Sequence, residues 1–421
     1  MKTFKADLHV HSSFSNKPTY WALRKFNCPE SFTSPEFIYK TAKKVGMDHV
    51  TITDHNTISG ALEIAHHHDT FISMEATAYF PEDGCKVHVV VLDINEAVFQ
   101  DVMHLRKNIY ELIPYLSRQK ITHFIAHPLY AQNEKLTADH LEKMLLLFQT
   151  FEVRNGARAP RFNRFIERVI DGLTPEKINY LADKHNLEPV GDHPWFKAKV
   201  GGSDDHSGFF IGRAHTATPD GRTIRDFIGS INECQSWAAG EDGDPLTLAH
   251  SLYGIGHSFY RNKFKARKNS PTPFIKALLT NFLDTGEDEL TYLDKIKFFV
   301  RKNLPEFSSS YDGRSFEEVL DKEARRLLND RGFLSSINPE NKNRRIFAVT
   351  SYLANRIIYI YTERLTRLSF DSGIFSLAHS LSTIGLVHLL ASPYYLAFHH
   401  QHRGKSLMRE LDERFDVTGS E

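Results

Sequence analysis

The sequence predicts an α/β fold over about its first half and a mainly α-helical region after it. Short apolar runs alternate with helical patterns as far as about Pro219, which is the arrangement of repeated βα units. After Gly240 the run GEDGDPLT has the composition of a linker, and the pattern beyond it is helical without recognisable strands. We therefore expect two domains, at residues 1–235 and 245–421.

The elements of the first domain follow from apolar runs and from helix signals. The candidate strands are Thr3–His9, His49–Thr53, Phe71–Glu75, Val87–Asp93, Ile121–Ala126, Phe148–Val153 and Lys199–Ser203. A capping residue, a proline and an acidic residue mark helix starts at Ser34–Glu36 and again at Thr174–Glu176. Gly46 marks the end of the first of these helices.

Charge and cysteine content exclude several classes of protein. Basic and acidic residues number 52 each, so no overall field attracts nucleic acid or anionic lipid. Three cysteines without a CxxC pair argue against a disulfide framework or a zinc ribbon. The first residues, MKTFKADLHV, lack the apolar core of an export signal. We expect a cytoplasmic protein without a strong affinity for nucleic acid.

Residues that can bind metals recur at the predicted carboxyl ends of strands. His9 with His11, and Asp204 with His206, stand two apart and so share one strand face. The further candidates at such ends are Asp54, His55, Glu75 and His127. In a β/α barrel these ends form the face that carries the active site. Imidazoles with a few carboxylates favour zinc, manganese or iron, and more than four candidates imply more than one ion.

Four runs resemble the motifs of the PHP (polymerase and histidinol phosphatase) superfamily of metal-dependent phosphoesterases. They stand in the family's order: DLHVHS at 7–12, TDHNT at 53–57, AHP at 126–128 and GSDDHS at 202–207. The resemblance spans roughly residues 3–219 and implies a distorted (β/α)7 barrel. The runs SMEATAY and KVHVVVLDI look most like the compact branch of the family that hydrolyses nucleotide phosphates.

Carried over residue by residue, the resemblance implies two or three divalent ions. The ligands of the first ion are then His9, His11, Glu75 and Asp204. Glu75 bridges to a second ion held with His88 and His127, and these three residues hold the metal-activated water that attacks the substrate. His88 opens its predicted strand, so a bent strand or a distorted barrel is needed to bring it to the site.

The third ion is the point at which the sequence departs from the family. His55 and His206 match two of its ligands, but Asn16 stands where family members have an Asp or His after the HxHSxxS run. A neutral amide is a poorer ligand than a carboxylate. We therefore expect the third site to be weak, empty, or filled only when substrate is bound.

Supporting roles fall to two carboxylates and two arginines. Asp7 and Asp54 are expected to accept hydrogen bonds from ligand imidazoles and so fix their tautomers. Arg154 and Arg213 follow predicted strand ends and are the candidates for binding phosphate.

The function predicted from these residues is hydrolysis of a phosphate ester by metal-activated water, with a small phosphate monoester or a nucleotide as substrate. A second hypothesis is a regulatory or binding PHP module with a weakened metal site, serving a partner such as a glycosyltransferase. A polynucleotide exonuclease and hydrolysis of carbon–nitrogen bonds also remain open, because the ligands specify an activated water better than its target.

One apolar segment lies in the predicted helical region. Residues 372–398 carry no formal charge and are long enough to span a bilayer, although serines, histidines and Pro393 interrupt them. Three interpretations stay open: a buried helix, peripheral attachment to the inner face of the membrane, and a span.

Overall fold

The computed structural model describes residues 3–15, 29–243, 247, 251 and 405–415. The chain divides into two compact units, Met1–Thr247 together with His399–Glu421, and Leu248–Phe398. All of the described residues except residue 251 belong to the first unit. The predicted division of the chain near residues 235–245 stays a prediction.

The described strands are short and partly shifted from the predicted runs. They are β1 (Phe4–Ala6), β2 (Met74–Tyr79), β3 (Lys86–Val91), β4 (His123–Ala126), β5 (Thr150–Asn155), β6 (Ala198–Gly202), β7 (Ala214–Thr218) and β8 (Trp237–Gly240). The sequence did not predict β7 and β8. The predicted strand at His49–Thr53 is wrong as a strand, because only Val50 forms a bridge there, with Thr70.

Most of the described helices begin with a side-chain cap. They are α1 (Pro35–Lys44), α2 (Ser59–Glu63), α3 (Glu96–Leu105), α4 (Ile109–Arg118), α5 (Ala138–Leu147), α6 (Pro160–Asp171), α7 (Pro175–His185), α8 (Ile224–Asn232) and α9 (Lys405–Phe415). Both predicted starts are confirmed, since Ser34 and Thr174 accept hydrogen bonds from the third helical residue of α1 and α7.

The strands form two sheets, so the α/β class is confirmed. One sheet has the order β2-β3-β4-β5-β6 and the other the order β1-β7-β8. The β4–β5 and β5–β6 pairs are parallel, whereas β3 runs antiparallel to both of its neighbours. The expected distorted (β/α)7 barrel is not seen as a closed barrel in the described residues, because the segments around Val10 and Val50 join their neighbours by isolated bridges instead of continuous ladders.

The larger sheet is buried on both faces. Val89 and Val91 pack with the helices α3 to α7 in one core, while Val90, between them, packs in a second core with Phe4 and Phe227. Because neighbouring residues of a strand point to opposite faces, a strand that is apolar throughout requires a cover on each side. This double cover holds the strand ends that carry the candidate ligands.

The last described helix, α9, packs within this first unit. Leu411 is fully buried in the larger core, and Leu407 and Phe415 pack beside it. Arg414 contacts Asp139 and Glu142 of α5 at 2.6 and 3.2 Å. In the described parts of the chain, no helix combines the length and the apolar character needed to cross a bilayer. Segment 372–398 lies outside the described residues.

Lys197 stabilises the start of β6 from a buried position. Its side chain is 5% exposed, and Nζ donates hydrogen bonds of 2.7 and 2.6 Å to the carbonyl oxygens of Leu145 and Phe148 at the end of α5. Carbonyls at the end of a helix lack partners within the helix, so the lysine satisfies two of them. Burial lowers the pKa of Lys197 from 10.5 to about 7.

We expect this buried lysine to make folding stability depend on pH. Between pH 7 and 10.5 the unfolded chain binds a proton that the folded chain does not. Stability therefore rises with pH in this window, by up to about 1.4 kcal/mol per unit, and is lost progressively as pH falls from 10.5 to 7. Thermal unfolding midpoints of wild type and Lys197→Met, measured across the window, test this. The variant should have a smaller slope, and equal slopes would contradict the assignment.

Candidate metal centre

Eight side chains from the predicted ligand set lie together at one end of the larger sheet. We call them the histidine–carboxylate cluster; its members are His9, His11, His55, Glu75, His88, His127, Asp204 and His206. Several overlapping groups of three within this cluster place their ligand atoms within 4.8 Å of one another. The structure therefore brings together residues that are up to 197 positions apart in the chain.

Glu75 lies at the centre of the cluster and is fully buried. Its Oε1 atom lies 3.2 Å from Nε2 of His9, 3.2 Å from Nε2 of His127 and 2.7 Å from Nδ1 of His88. Its Oε2 atom lies 2.6 Å from Nδ1 of His55 and 3.4 Å from Nε2 of His11. One carboxylate thus faces five imidazoles, which is the position that a bridging ligand requires.

Asp204 is the second carboxylate of the cluster and follows the carboxyl end of β6. Its Oδ1 atom lies 3.5 Å from Nε2 of His9 and 3.6 Å from Nε2 of His11. The same oxygen lies 3.6 Å from Nδ1 of His206. His9 and His11 are therefore placed between two carboxylates, Glu75 and Asp204, as a common ion would require.

Backbone contacts hold the first motif in place. Asp204 N–H donates to the carbonyl of His9, and His11 N–H donates to the carbonyl of Asp205. This alignment needs close approach to Gly202, because a Cβ atom there would lie 2.3 Å from Cβ of His9. The glycine of GSDDHS therefore has a steric role in bringing two ligand pairs together.

Strand direction explains how His88 reaches the cluster. β3 runs antiparallel to β4, and His88 pairs with Ala126, the residue before His127. The amino end of β3 therefore lies beside the carboxyl end of β4, and no bent strand is needed. Glu75, expected at a strand's carboxyl end, is instead the second residue of β2.

Two candidate ligands have a left-handed backbone. His127 has φ 28° directly after β4, and Asp204 has φ 50° shortly after β6. This conformation is uncommon for residues other than glycine and costs about 1 kcal/mol or more. Such strain is characteristic of functional sites, and here it occurs where the chain turns out of a strand with its side chain directed at the cluster.

The cluster fits a divalent metal by its donor atoms and their spacing. Nε2 of His9 and Nε2 of His11 are buried and have no hydrogen-bond partner among the described residues, although carboxylate oxygens lie 3.2–3.6 Å away. Ligand atoms that share an ion at about 2.1 Å stand about 3–3.5 Å apart. Imidazole nitrogens with two carboxylates suit zinc, manganese or iron.

Electrostatics favours the metal-binding states of Glu75 and His88 but opposes that of His9. Burial raises the pKa of Glu75, but imidazoles led by His88 hold it well below its usual range. Burial lowers the pKa of His88 to about 4. Burial also opposes charge on His9, but carboxylates led by Glu152 raise its pKa well above the ordinary value. A metal must therefore displace a proton from His9, so metal binding weakens as pH falls.

Glu152 is a functional candidate that the sequence interpretation missed. It lies within β5 and is 1% exposed. Nδ1–H of His9 donates to its Oε1 atom at 2.9 Å, while its Oε2 atom accepts from the backbone N–H of His127 at 2.7 Å and from Asn155 at 2.9 Å. Glu152 thus sets the tautomer that directs Nε2 of His9 into the cluster. The available signal was a carboxylate between the apolar residues Phe151 and Val153 of the predicted strand.

The hydrogen bonds that Asp7 and Asp54 accept come from backbone N–H groups and serine hydroxyls, whereas the sequence predicted hydrogen bonds from ligand imidazoles. Asp7 accepts hydrogen bonds from the backbone N–H groups of His9, Ser203 and Gly212. It therefore links the first motif to the segments around Ser203 and Gly212. Asp54 accepts from the hydroxyl of Ser15. Nδ1 of His11 lies 3.1 Å from that hydroxyl. Asp54 therefore orients an imidazole only through a serine.

The arginines are arranged differently from the expectation. Arg154 donates to the carbonyl of Gly240 and Arg213 to the carbonyl of Asp242, so both contact the segment around β8. Arg158 instead reaches the cluster, with Nη2 3.2 Å from Oδ2 of Asp204. Its guanidinium lies 3.7 Å from the centre of the Tyr130 ring. Arg158 is therefore the cation beside the ligands, while a phosphate role for Arg154 and Arg213 stays a prediction.

Asn16, the departure from the family in the predicted third site, lies outside the described residues. The structure instead brings Glu30 to His55 and His206, at 3.3 and 3.9 Å between the nearest atoms. No motif in the sequence pointed to Glu30.

Comparison with known proteins gives local and distant likenesses. No family model matches the chain. An uncharacterized protein of Methanocaldococcus jannaschii is 51% identical over 59 residues, which is 14% of this chain. The matching residues cover 33% of the length of that relative.

Three solved structures illustrate the distant likenesses. A two-domain protein of Bacteroides vulgatus with an assigned PHP-like metal-dependent phosphoesterase is 17% identical, over 61% of this chain and 70% of that one, with a TM-score of 0.36. A protein of Bifidobacterium adolescentis, assigned as a metal-dependent phosphoesterase, and an amidohydrolase of Chromobacterium violaceum are each 16% identical, over 48% of this chain and 87% of theirs, with TM-scores of 0.30.

The site of this chain is described by its own contacts. DLHVHS, TDHNT, AHP and GSDDHS each supply side chains to one connected cluster around Glu75. The four motifs that resemble those of the PHP superfamily therefore meet in one cluster.

Proposed function

We propose that the chain is a metal-dependent phosphohydrolase that cleaves the phosphate ester of a small monoester or a nucleotide. The observation that carries the proposal is the convergence of six imidazoles and two carboxylates on one buried point, where Nε2 of His9 and Nε2 of His11 have no hydrogen-bond partner among the described residues. Such a donor set binds two or more divalent ions of the zinc, manganese or iron type.

The ligands divide into overlapping groups. His9, His11 and Asp204 would hold one ion, His88 and His127 a second, and Glu75 lies within 3.4 Å of a nitrogen on each of these four imidazoles. Paired ions of this kind supply a nucleophilic water at neutral pH and neutralise phosphoryl oxygens. The protein excludes bulk solvent around them, since His9, His11 and Glu75 are fully buried.

Substrate binding requires positive charge next to the ligands. Arg158 provides it, because its guanidinium is held between Asp204 and the face of Tyr130. A guanidinium can bind two phosphoryl oxygens at once, which fixes the orientation of the ester relative to the ions. We therefore assign phosphate binding to Arg158 ahead of Arg154 and Arg213, because Arg158 lies beside a cluster ligand whereas the other two contact the segment around β8.

Metal-dependent release of phosphate tests the proposal. We expect the metal-loaded protein to release phosphate from members of a panel of monoesters and nucleotides. His9→Asn should lower the rate at least about 100-fold, since even partners outside the ligand set cost 10–100-fold. His49→Asn is the matched control, because His49 is a buried histidine that contacts Gly221 away from the cluster; it should keep the rate.

Three results would contradict the proposal. No release from any substrate by protein that has bound its metals would favour the regulatory or binding module. Cleavage of amides in place of esters would favour carbon–nitrogen hydrolysis, and turnover confined to polynucleotide ends would favour an exonuclease.

A further inference from the structure

The cluster contains a second group of imidazoles beside the central pair of carboxylates. His11 lies between His55 and His206, with ring centres 4.4 and 4.0 Å away. One nitrogen of each of these three rings lies within 4.8 Å of the others. A trio of imidazoles has the donors for an ion but carries no negative charge to balance it.

Glu30 supplies a carboxylate at this trio. The residue is 2% exposed, and its Oε2 atom lies 3.3 Å from Nε2 of His55. Its Oε1 atom lies 3.9 Å from Nε2 of His206. The shorter distance lies within the range of about 3–3.5 Å for donor atoms that share one ion, and the longer one exceeds that range by about 0.4 Å.

Backbone contacts fix Glu30 in this place. Its N–H donates to the carbonyl of Ser15, and the Ser31 hydroxyl donates to the carbonyl of His11. Thr33 accepts from the N–H of Ser13. The segment from Glu30 to Thr33 therefore lies along the residues that follow His11, so its position is coupled to the first motif.

The second nitrogen of each ring lies beside an oxygen atom. Nδ1 of His206 donates to the carbonyl of Asp204 at 3.1 Å, and Nδ1 of His55 lies 2.6 Å from Oε2 of Glu75. Each ring therefore presents Nε2 to Glu30. Metal-binding histidines typically have this arrangement, with one nitrogen held by an oxygen and the other free for the ion.

We propose that Glu30 is the carboxylate ligand of a third divalent metal site formed with His55 and His206. The site then has a charged oxygen ligand without any contribution from Asn16. A carboxylate with imidazoles suits zinc, manganese or iron. The inference deepens the proposed function, and it is tested by metal content, so it can fail or hold independently of phosphate release.

Metal stoichiometry of the full-length protein is the measurement. Protein stripped by a chelator is dialysed against buffered Zn²⁺ or Mn²⁺, and bound metal per chain is determined by elemental analysis. Wild type should bind three equivalents and Glu30→Gln two, with affinity for the third at least about 100-fold lower. Glu30→Asp should recover part of that affinity. Asn16→Ala is the matched control and should keep three equivalents.

A double substitution separates loss of a ligand from loss of the fold. Glu30→Gln combined with His206→Asn should lose the same single equivalent as either change alone, because both act on one ion. Retention of three equivalents by Glu30→Gln, only two in wild type, or loss of the third in Asn16→Ala would overturn the inference. A misfolded Glu30→Gln variant would lose all the equivalents. In that case Glu30→Asp and His206→Asn are used in its place to determine whether only the third equivalent depends on this site.

Discussion

Glu75→Gln is expected to remove metal binding from the centre of the cluster. Glu75 faces five imidazoles through both of its oxygens. An amide keeps the shape of the side chain but loses its charge and replaces one oxygen with a donor group, so it cannot bridge two ions. We expect affinity for the first two equivalents to fall more than about 100-fold, and phosphate release to fall with it.

Equilibrium dialysis with Zn²⁺ and Mn²⁺ measures this effect directly. The matched control is Glu142→Gln, because Glu142 is also buried but contacts Lys184, His185 and Arg414 outside the cluster. The control should bind metal as wild type does, even if its unfolding temperature falls. Normal metal affinity in Glu75→Gln would show that the cluster is not a bridged site.

Glu152→Gln is expected to have the second largest effect, although Glu152 is not predicted to contact a metal. Both of its oxygens accept hydrogen bonds, one from His9 and the other from His127 and Asn155. Glutamine has only one accepting oxygen, so its NH₂ group must face a donor in either orientation. One buried donor is then left without a partner, at a cost of about 1–3 kcal/mol.

The larger consequence concerns the tautomer of His9. Without a fixed acceptor for the proton on Nδ1, the proton can move to Nε2. The Nε2 atom then no longer presents its lone pair to an ion between Glu75 and Asp204. We expect metal affinity to fall about 10–100-fold, the range for partners that orient a ligand. Unfolding of the metal-free variant is measured beside its metal affinity, and reduced stability with unchanged affinity would reduce Glu152 to a structural role.

The ligands themselves were predictable because they stand in short motifs. His9 with His11 and Asp204 with His206 are close in sequence, so strand geometry alone puts each pair on one face. Helix starts at Ser34 and Thr174 were also predictable, because capping is a local interaction between residues three apart. Local interactions leave a signal in a single stretch of sequence.

Contacts between residues far apart in the sequence leave no such local signal. The direction of β3 places His88 beside His127, yet strand direction depends on which strands pair. Glu152 and Glu30 belong to no motif, and their importance lies in the atoms that meet them. Arg158 was one of several neighbouring arginines, and only its contact with Asp204 distinguishes it.

The sequence by itself determined the α/β class, the metal-binding character and most of the candidate ligands, since these depend on residue type and local spacing. The tertiary structure decided which carboxylate faces which imidazole, and with that the tautomer of His9 and the position of Glu30. The physical reason is that hydrogen bonds and metal coordination act over about 2–3.5 Å. Distances of that size between residues far apart in sequence exist only after the chain has folded.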